Sequence, residues 1–240
     1  MKNKIVVFIY LLIALVVKAN AQSYEDLRSV YPVTTSDGKR VINGFIDFSS
    51  SDEDIYANSL KWSINNLCEK GRDHIFDVKI EKKIFSFDTT LEEYENGKTK
   101  ISFVFKGNIK VSNQKLVFSL YDIQYKMGGI TGFVSGTDFD KLNPDKKPKH
   151  KEIVNSFQTL ASQMLNKLFD EIIQNNCKSV THWKNIDFQR PEEGMNDDEC
   201  LIAFGKPSNI FEDSKGQIQW SYGMNFILIF SNNILTTIIK

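Results

Sequence analysis

Arginine is scarce in this 240-residue chain, in which only four of the 30 basic residues are arginine and the rest are lysine. The arginines are Arg28, Arg40, Arg72 and Arg190. Paired hydrogen bonds to phosphate groups or guanine edges depend on the guanidinium fork, which lysine lacks. The formal net charge is zero and the lysines form no basic stripe. The sequence therefore argues against a nucleic-acid partner.

Motifs that carry common enzyme chemistry are also missing. Neither the G-x-S-x-G nucleophile motif nor the H-E-x-x-H zinc motif occurs. The three histidines, His74, His150 and His182, each lie more than four residues from any other histidine or cysteine, so metal-ligand spacing is absent. We therefore expect no cofactor, no metal and no catalytic residue, and we expect that the protein is not an enzyme.

No apolar run is long enough to cross a membrane, but the N-terminus has the parts of an export signal. Two lysines precede the uncharged run Ile5–Val17, which has 13 residues, whereas a spanning helix needs about 20. The small residues of Ala19-Asn20-Ala21 then predict cleavage after Ala21. Residues 1–21 are predicted to be a signal peptide, with a short membrane anchor or buried helix as the alternative.

Export determines the expected location and net charge of the mature protein. The leader carries Lys2, Lys4 and Lys18 and no acid, so its removal changes the formal net charge from zero to −3. The first cysteine is Cys68, so no lipid anchor is expected at the mature N-terminus. We predict a periplasmic or secreted protein with no membrane span.

Cysteine is rare as well, with Cys68, Cys177 and Cys200 as its three occurrences. An oxidising compartment permits one disulfide among them and leaves one thiol over. The other interpretation is two or three buried, inert thiols. Their spacing matches no zinc site.

Apolar periodicity predicts an α+β fold whose first unit has the order β-α-β-β-β-α. A strand at 41–48 precedes a helix that begins after the N-cap candidate Ser51 and is closed by Gly71. An antiparallel meander and an amphipathic second helix follow. The meander strands are predicted at 75–87, 99–111 and 116–125, its turns at Asn96-Gly97 and Ser112-Asn113, and the apolar face of the second helix at Ile153 to Ile172.

A small second unit closes the chain. A helix at 196–204 precedes Gly205, which suits a left-handed helix cap, and Pro207, which prevents helix continuation. Trp220 and Tyr222 share one strand face and are expected to pack over this helix. Strands are predicted at 218–222, 226–230 and 234–239, with a turn at 231–233. We predict a domain at 22–178, a linker at 179–193 and an αβββ domain at 194–240.

Two neighbouring segments are candidates for binding. The glycine-rich stretch 127–137 is either a loop that meets a ligand or a flexible hairpin tip. Its candidate binding residues are Gly128, Gly129, Gly132 and Gly136. Asp138, Asp140 and Asp145 could gather around Ca²⁺, although Leu142 occupies a ligand position of the EF-hand pattern. The lysine-rich stretch 141–151 is either a solvated linker or a contact for anionic surfaces.

The strand GFIDF and the segment SSSDEDIYANSLKWSINNL, Ser49–Leu67, carry a resemblance to a known family. Tyr56 and Trp62 stand where that family has an early tyrosine and a later tryptophan in its first helix, and VFSLYDIQY matches a later strand. Over about residues 40–175 the chain resembles an exported domain family of unknown function from Bacteroidetes-type bacteria, with a TATA-binding-protein-like fold. The resemblance implies no catalytic residues, and the fold name does not imply DNA binding.

The tail carries a second resemblance, over about residues 194–240. Its parts are GMNDDECLIAFGKPSNIF, IQWSY and FILIFSNNILTTI. This pattern is similar to the small exported domain typified by the lipoprotein subunit of the outer-membrane β-barrel assembly machinery. The resemblance implies an envelope scaffold or interaction module.

We therefore predict an exported, non-enzymatic protein of the cell envelope that acts through an envelope protein partner. The second hypothesis is a small-molecule or glycan binder, or a hydrolase, that uses the concave sheet face and the Gly-rich loop. A binder should have a pocket with convergent polar groups near His74 or the 127–137 stretch. A scaffold should instead expose an apolar patch at a helix or sheet edge.

Overall fold

The structure is a computed structural model that describes residues 33–34, 38–95, 98–127, 137–214 and 216–240. The predicted leader, 1–21, and the predicted turn at Asn96-Gly97 lie outside these residues. No helix in these ranges combines the length and the apolar character that a membrane crossing needs.

The described residues form two antiparallel sheets and four helices. In chain order the elements are β1 (Val33–Thr34), β2 (Arg40–Asp47), α1 (Asp52–Leu67), β3 (Ile75–Lys79), β4 (Ile84–Glu95), β5 (Lys98–Ser112), β6 (Lys115–Met127), β7 (Thr137–Asp138), α2 (Pro148–Gln174), α3 (Trp183–Asp187), α4 (Asp197–Phe204), β8 (Asn209–Glu212), β9 (Ile218–Tyr222), β10 (Phe226–Ser231) and β11 (Ile234–Ile239). The large sheet has the order β1-β2-β6-β5-β4-β3 with β7 on β6, and the small sheet has the order β11-β10-β9-β8. The predicted α+β class is confirmed.

One face of the large sheet is buried beneath α1 and α2. Along β5 the buried residues alternate with polar ones, which is the period-2 pattern of a strand with one covered face. Phe157 of α2 packs on this face, with its ring centroid 5.1 Å from that of Phe103 and 5.3 Å from that of Phe105. Phe87 lies opposite Gly107, where a β-carbon would come within 2.1 Å of the phenyl ring. The glycine therefore provides space for an aromatic ring in the core.

The start of α1 follows the sequence prediction, but its end does not. The Asp54 N–H donates to Ser51 Oγ at 3.1 Å, which is the expected N-cap. The predicted closure by Gly71 is wrong, because the helix ends at Leu67 with Cys68 in an extended conformation. Gly71 instead pairs with Lys206 in the tail, so residues 68–71 leave the helix to reach the second unit.

Several other boundaries differ from the prediction for local reasons. The strand expected at 75–87 is interrupted by a 3-10 turn at Ile80–Lys82, after which Lys83 has a φ of 50°. Helix α2 begins at Pro148, inside the lysine-rich stretch 141–151 that is predicted to precede it, since proline suits the first helical turn. The tail sheet has a fourth strand, β8, and the segment predicted as a linker contains α3.

The two sheets share one hydrophobic core rather than two separate ones. Buried residues of α1 and α4 belong to the same cluster. A polar contact joins the same two helices, since Lys61 Nζ lies 3.0 Å from a carboxylate oxygen of Asp198. The Lys178 N–H, from the segment between α2 and α3, also donates to Asp198 at 2.8 Å. The tail is therefore fastened to the first helix.

Gly205 lies at the closest approach between the two units. A β-carbon there would lie 1.9 Å from the Gly71 carbonyl oxygen, and Gly71 and Lys206 exchange two backbone hydrogen bonds of 2.9 Å. The predicted positive φ of Gly205 is confirmed at 77°, but its ψ of −162° lies outside the left-handed helical region. Glycine is required here by both conformation and space.

We predict that Gly205→Ala destabilises the protein by more than about 4 kcal/mol, because backbone atoms must move to admit the methyl group. The matched control is Gly216→Ala, since Gly216 has the same φ of 77° and has nothing within 4 Å of the position that a β-carbon would take. The control should lose about 1–2 kcal/mol from backbone strain alone. Urea unfolding followed by tryptophan fluorescence measures both, and equal losses would contradict a steric role for Gly205.

Candidate functional site

Each of the three histidines has a hydrogen-bond partner, and none stands in a metal cluster. His74 Nδ1 lies 2.6 Å from Asp88 Oδ1, and the Asn143 N–H donates to His150 Nδ1 at 2.8 Å. His182 Nδ1 lies 3.0 Å from Glu199. Within the described ranges, no group of three or more His, Cys, Asp and Glu residues could hold a metal ion.

Glu199 is the buried carboxylate that joins the 179–182 segment to α4. It accepts backbone N–H groups from Thr181 at 2.6 Å, from His182 at 2.9 Å and from Asn196 at 2.8 Å. The Glu199 N–H in turn donates to Asn196 Oδ1 at 2.9 Å, which completes a capping box. Burial alone would raise the pKa of Glu199, but the hydrogen bonds from Asn196, His182 and Thr181 outweigh it and lower that pKa.

We predict that Glu199→Gln costs about 1–3 kcal/mol of stability near neutral pH, because an amide cannot accept all of these N–H groups. A lowered folded-state pKa contributes stability above the ordinary value of 4.5, and that contribution is lost as pH falls through the folded value. The difference between wild type and variant should therefore shrink below pH 4.5. Urea unfolding across a pH series measures it. Glu81→Gln, at an exposed turn, serves as the control, and a pH-independent difference would contradict the assignment.

The predicted Ca²⁺ residues are only partly brought together. Asp138 and Asp140 line a hollow of about 440 Å³ with Asp88 and Asp122, but Asp145 does not. Their carboxylates are already engaged. Asp140 accepts the Arg40 N–H at 2.6 Å, and Asp138 accepts the Asp140 N–H at 3.0 Å. The arrangement is that of a hydrogen-bonded turn.

Of the other predicted site residues, the cysteines lie in the core and the glycines of the 127–137 stretch lie outside the described residues. Cys68, Cys177 and Cys200 are buried with free thiols, so no bridge joins them. Burial is the main cause that raises the pKa of the Cys68 thiol to about 11, which makes it a poor nucleophile at neutral pH. Gly128, Gly129, Gly132 and Gly136 lie outside the described residues.

Of the tail residues predicted to be structural, Tyr222 contacts the short helix as expected, whereas Trp220 packs on a neighbouring strand. The Tyr222 hydroxyl donates to the Gly205 carbonyl oxygen at 3.0 Å, and its ring centroid lies 6.0 Å from that of Phe204 at the end of α4. Trp220 packs on Phe230 at 4.8 Å. Pro207 follows the helix stop and is half-buried.

A cleft of about 440 Å³ lies between the large sheet and the first half of α2. Its floor is apolar and includes Ile101 of β5, Met127 at the end of β6, and Ile153 and Leu160 of α2. Met127 immediately precedes the glycine-rich stretch. This is a pocket in the neighbourhood that the ligand-binding hypothesis requires.

A small charge network forms one wall of this cleft. Lys100 Nζ lies 3.1 Å from Glu152 and 3.4 Å from Glu93, and the Ser156 hydroxyl donates to Glu93. The hydrogen bond from Ser156, together with the nearby Lys100, lowers the pKa of Glu93. Hydrogen bonds to Glu152 and Glu93 raise the pKa of Lys100. Glu93 and Lys100 therefore keep their opposite charges at neutral pH.

The tail sheet ends in an exposed apolar edge strand, β8. Ile210 and Phe211 are 64% and 62% exposed. Ile210 pairs with Trp220 and Phe211 with Gln219, so the two side chains lie on opposite faces of the sheet. We call Ile210 and Phe211 the β8 patch.

Sequence reasoning missed both the cleft and the β8 patch. The cleft joins residues 93–101 to residues 149–163, and this long-range contact leaves no local pattern. The β8 patch did leave a signal, since Ile210-Phe211 is an apolar pair bounded by Ser208-Asn209 and Glu212-Asp213. Such a short apolar run between polar residues is typical of a strand.

Comparisons with known proteins give fold-level likenesses alone. No family model and no curated protein matches the chain. A TBP-like protein from Parabacteroides distasonis ATCC 8503 is similar, with a TM-score of 0.48 and 11% identity over 57% of this chain and 95% of that one. A DUF4468 family protein from Bacteroides ovatus ATCC 8483 is also similar, with a TM-score of 0.43 and 13% identity over 63% and 96% of the two chains. Neither likeness assigns a residue, a ligand or an activity to this chain.

Proposed function

We propose that the protein is exported to the cell envelope, has no enzymatic activity, and acts as a scaffold or interaction module that binds another envelope protein. The leader pattern in residues 1–21 supports export. The resemblance of the tail to the small lipoprotein of the β-barrel assembly machinery supports an envelope address. The observation that carries the proposal is the β8 patch.

An extended segment of the partner protein is the occupant that fits β8. Among the described residues β8 pairs on one side only, with β9, so its outer backbone groups face no strand. Soluble proteins usually protect such an edge with lysine, proline or a bulge. Here two large apolar side chains flank the edge instead. A partner strand can pair with the backbone while its alternate side chains contact Ile210 on one face and Phe211 on the other.

We predict that a photo-reactive benzoylphenylalanine in place of Phe211 forms one discrete protein adduct when cells are irradiated. The same group in place of Thr237, an exposed residue of the opposite edge strand β11, is the matched control and should form none. Adding Ile210→Lys should abolish the adduct at position 211, because a charged side chain blocks strand addition. Equal labelling at both edges, or an adduct that survives Ile210→Lys, would refute binding through β8.

Cleavage of the leader is a separate prediction. Intact mass measurement of the protein from the periplasm or medium should give a chain that starts at Gln22 or within two residues of it. Ala21→Arg should leave the leader attached, because signal peptidase requires a small residue there. A full-length cytoplasmic protein with an intact N-terminus would contradict export.

The second candidate function is the binding of a small molecule or glycan. The specific observation in its favour is the cleft beside Met127, with an apolar floor and polar side chains along its walls. A thermal-shift screen with small ligands distinguishes the two functions, because only a ligand-binding protein should be stabilised. A ligand that stabilises the protein, combined with no adduct at position 211, would favour binding over the scaffold role.

A further inference from the structure

The floor of the cleft offers an apolar surface to a ligand. This surface comes mainly from Leu160 and Met127, which are half-buried. Ile101 and Ile153 also line the cleft but are each 3% exposed and add little to it. The volume of about 440 Å³ falls in the range of small-molecule sites. A ligand that fills this space must carry an apolar body, because little on the floor can form a hydrogen bond.

The wall carries a net formal charge of −1, because the two carboxylates of Glu93 and Glu152 face the single ammonium of Lys100. Glu93 and Glu152 both contact Lys100, and the second oxygen of Glu93 is occupied by Ser156. These groups satisfy one another before any ligand enters. The rest of the cleft carries neutral polar side chains, among them Asn155, Thr159 and Gln163.

Exposed lysines cluster around the start of α2, where one of them lines the cleft. Lys149 lines the cleft at the start of α2, and three further lysines lie within three residues of it. Lys146, Lys147, Lys149 and Lys151 are all exposed, and none of them forms an ion pair with another described residue. The acids in this stretch are Asp145 and Glu152, and Glu152 is held by Lys100. The local excess of positive charge complements an anion.

We propose that this cleft binds a single-chain amphiphile, with its alkyl chain against Leu160 and Met127 and its anionic head beside Lys149. The shared chemistry is an alkyl chain that ends in a carboxylate or phosphate, taken either free from solution or from a lipid. The inference rests on the second candidate function and specifies its ligand.

Titration of the mature chain with alkyl compounds below their micelle concentration tests the assignment. Decanoate should bind more tightly than octanoate, by roughly fourfold for each methylene, and more tightly than octylamine by tenfold or more. Thr159→Trp places a bulky ring in the cleft from an exposed helix position and should abolish binding. Circular dichroism of each variant confirms that it folds.

Two charge-reversal variants distinguish the effect of the lysines beside the cleft from the effect of the net charge of the protein. The double variant Lys146→Glu, Lys149→Glu should weaken decanoate binding at least tenfold. Lys79→Glu, Lys82→Glu changes the net charge equally at exposed positions outside the cleft lining and should leave the affinity unchanged. Equal effects of the two double variants would overturn the assignment.

The remaining outcomes are distinct. If octyl glucoside binds as tightly as decanoate and Thr159→Trp blocks both, the cleft is a ligand site but the anionic head is wrong. If no alkyl compound binds, the amphiphile proposal is overturned, whereas the small-molecule or glycan function fails only if the thermal-shift screen also finds no ligand. Lysophosphatidylglycerol, a single-chain phospholipid, identifies the source: binding that Thr159→Trp removes indicates a lipid, whereas binding that survives it indicates surface attraction and overturns the proposal for lipid.

Discussion

The contact between Gly71 and Gly205 is the constraint on which the arrangement of the two sheets depends. Lys206 and Gly71 exchange two backbone hydrogen bonds across it, and the Lys206 ammonium reaches the Cys68 carbonyl at 2.7 Å. These bonds fix the end of α1 to the end of α4. The shared core is continuous because the backbones meet there without side chains between them.

Polar groups between the two units set the orientation of the tail, because hydrogen bonds are directional and apolar packing is not. Asp198 is contacted by Lys61 and by the Lys178 N–H, while Glu199 gathers three backbone N–H groups of the preceding segment and its own cap. Buried carboxylates are costly unless fully hydrogen-bonded. Alternative dockings would leave them unsatisfied, so the network favours a single geometry.

Local chemistry made part of the fold predictable. Ser51 as an N-cap, the buried face of α2 and the turn at Asn232-Asn233, with φ values of 52° and 64°, follow from residues close in sequence. The end of α1 was predicted wrongly because Gly71 pairs with Lys206, far along the chain, and does not cap its own helix. The cleft and the exposure of β8 could not be predicted for the same reason: each depends on which distant element does, or does not, cover a strand.

The glycine pair also limits how such a tail can be exchanged between proteins. A tail with this helix stop cannot be transplanted onto an arbitrary body. The recipient must present a free backbone carbonyl and N–H opposite the helix stop, at a residue that can adopt the positive φ of 56° that Gly71 has. Compatibility is then decided by a few backbone atoms of the 68–72 segment, and the length of the connecting chain matters little.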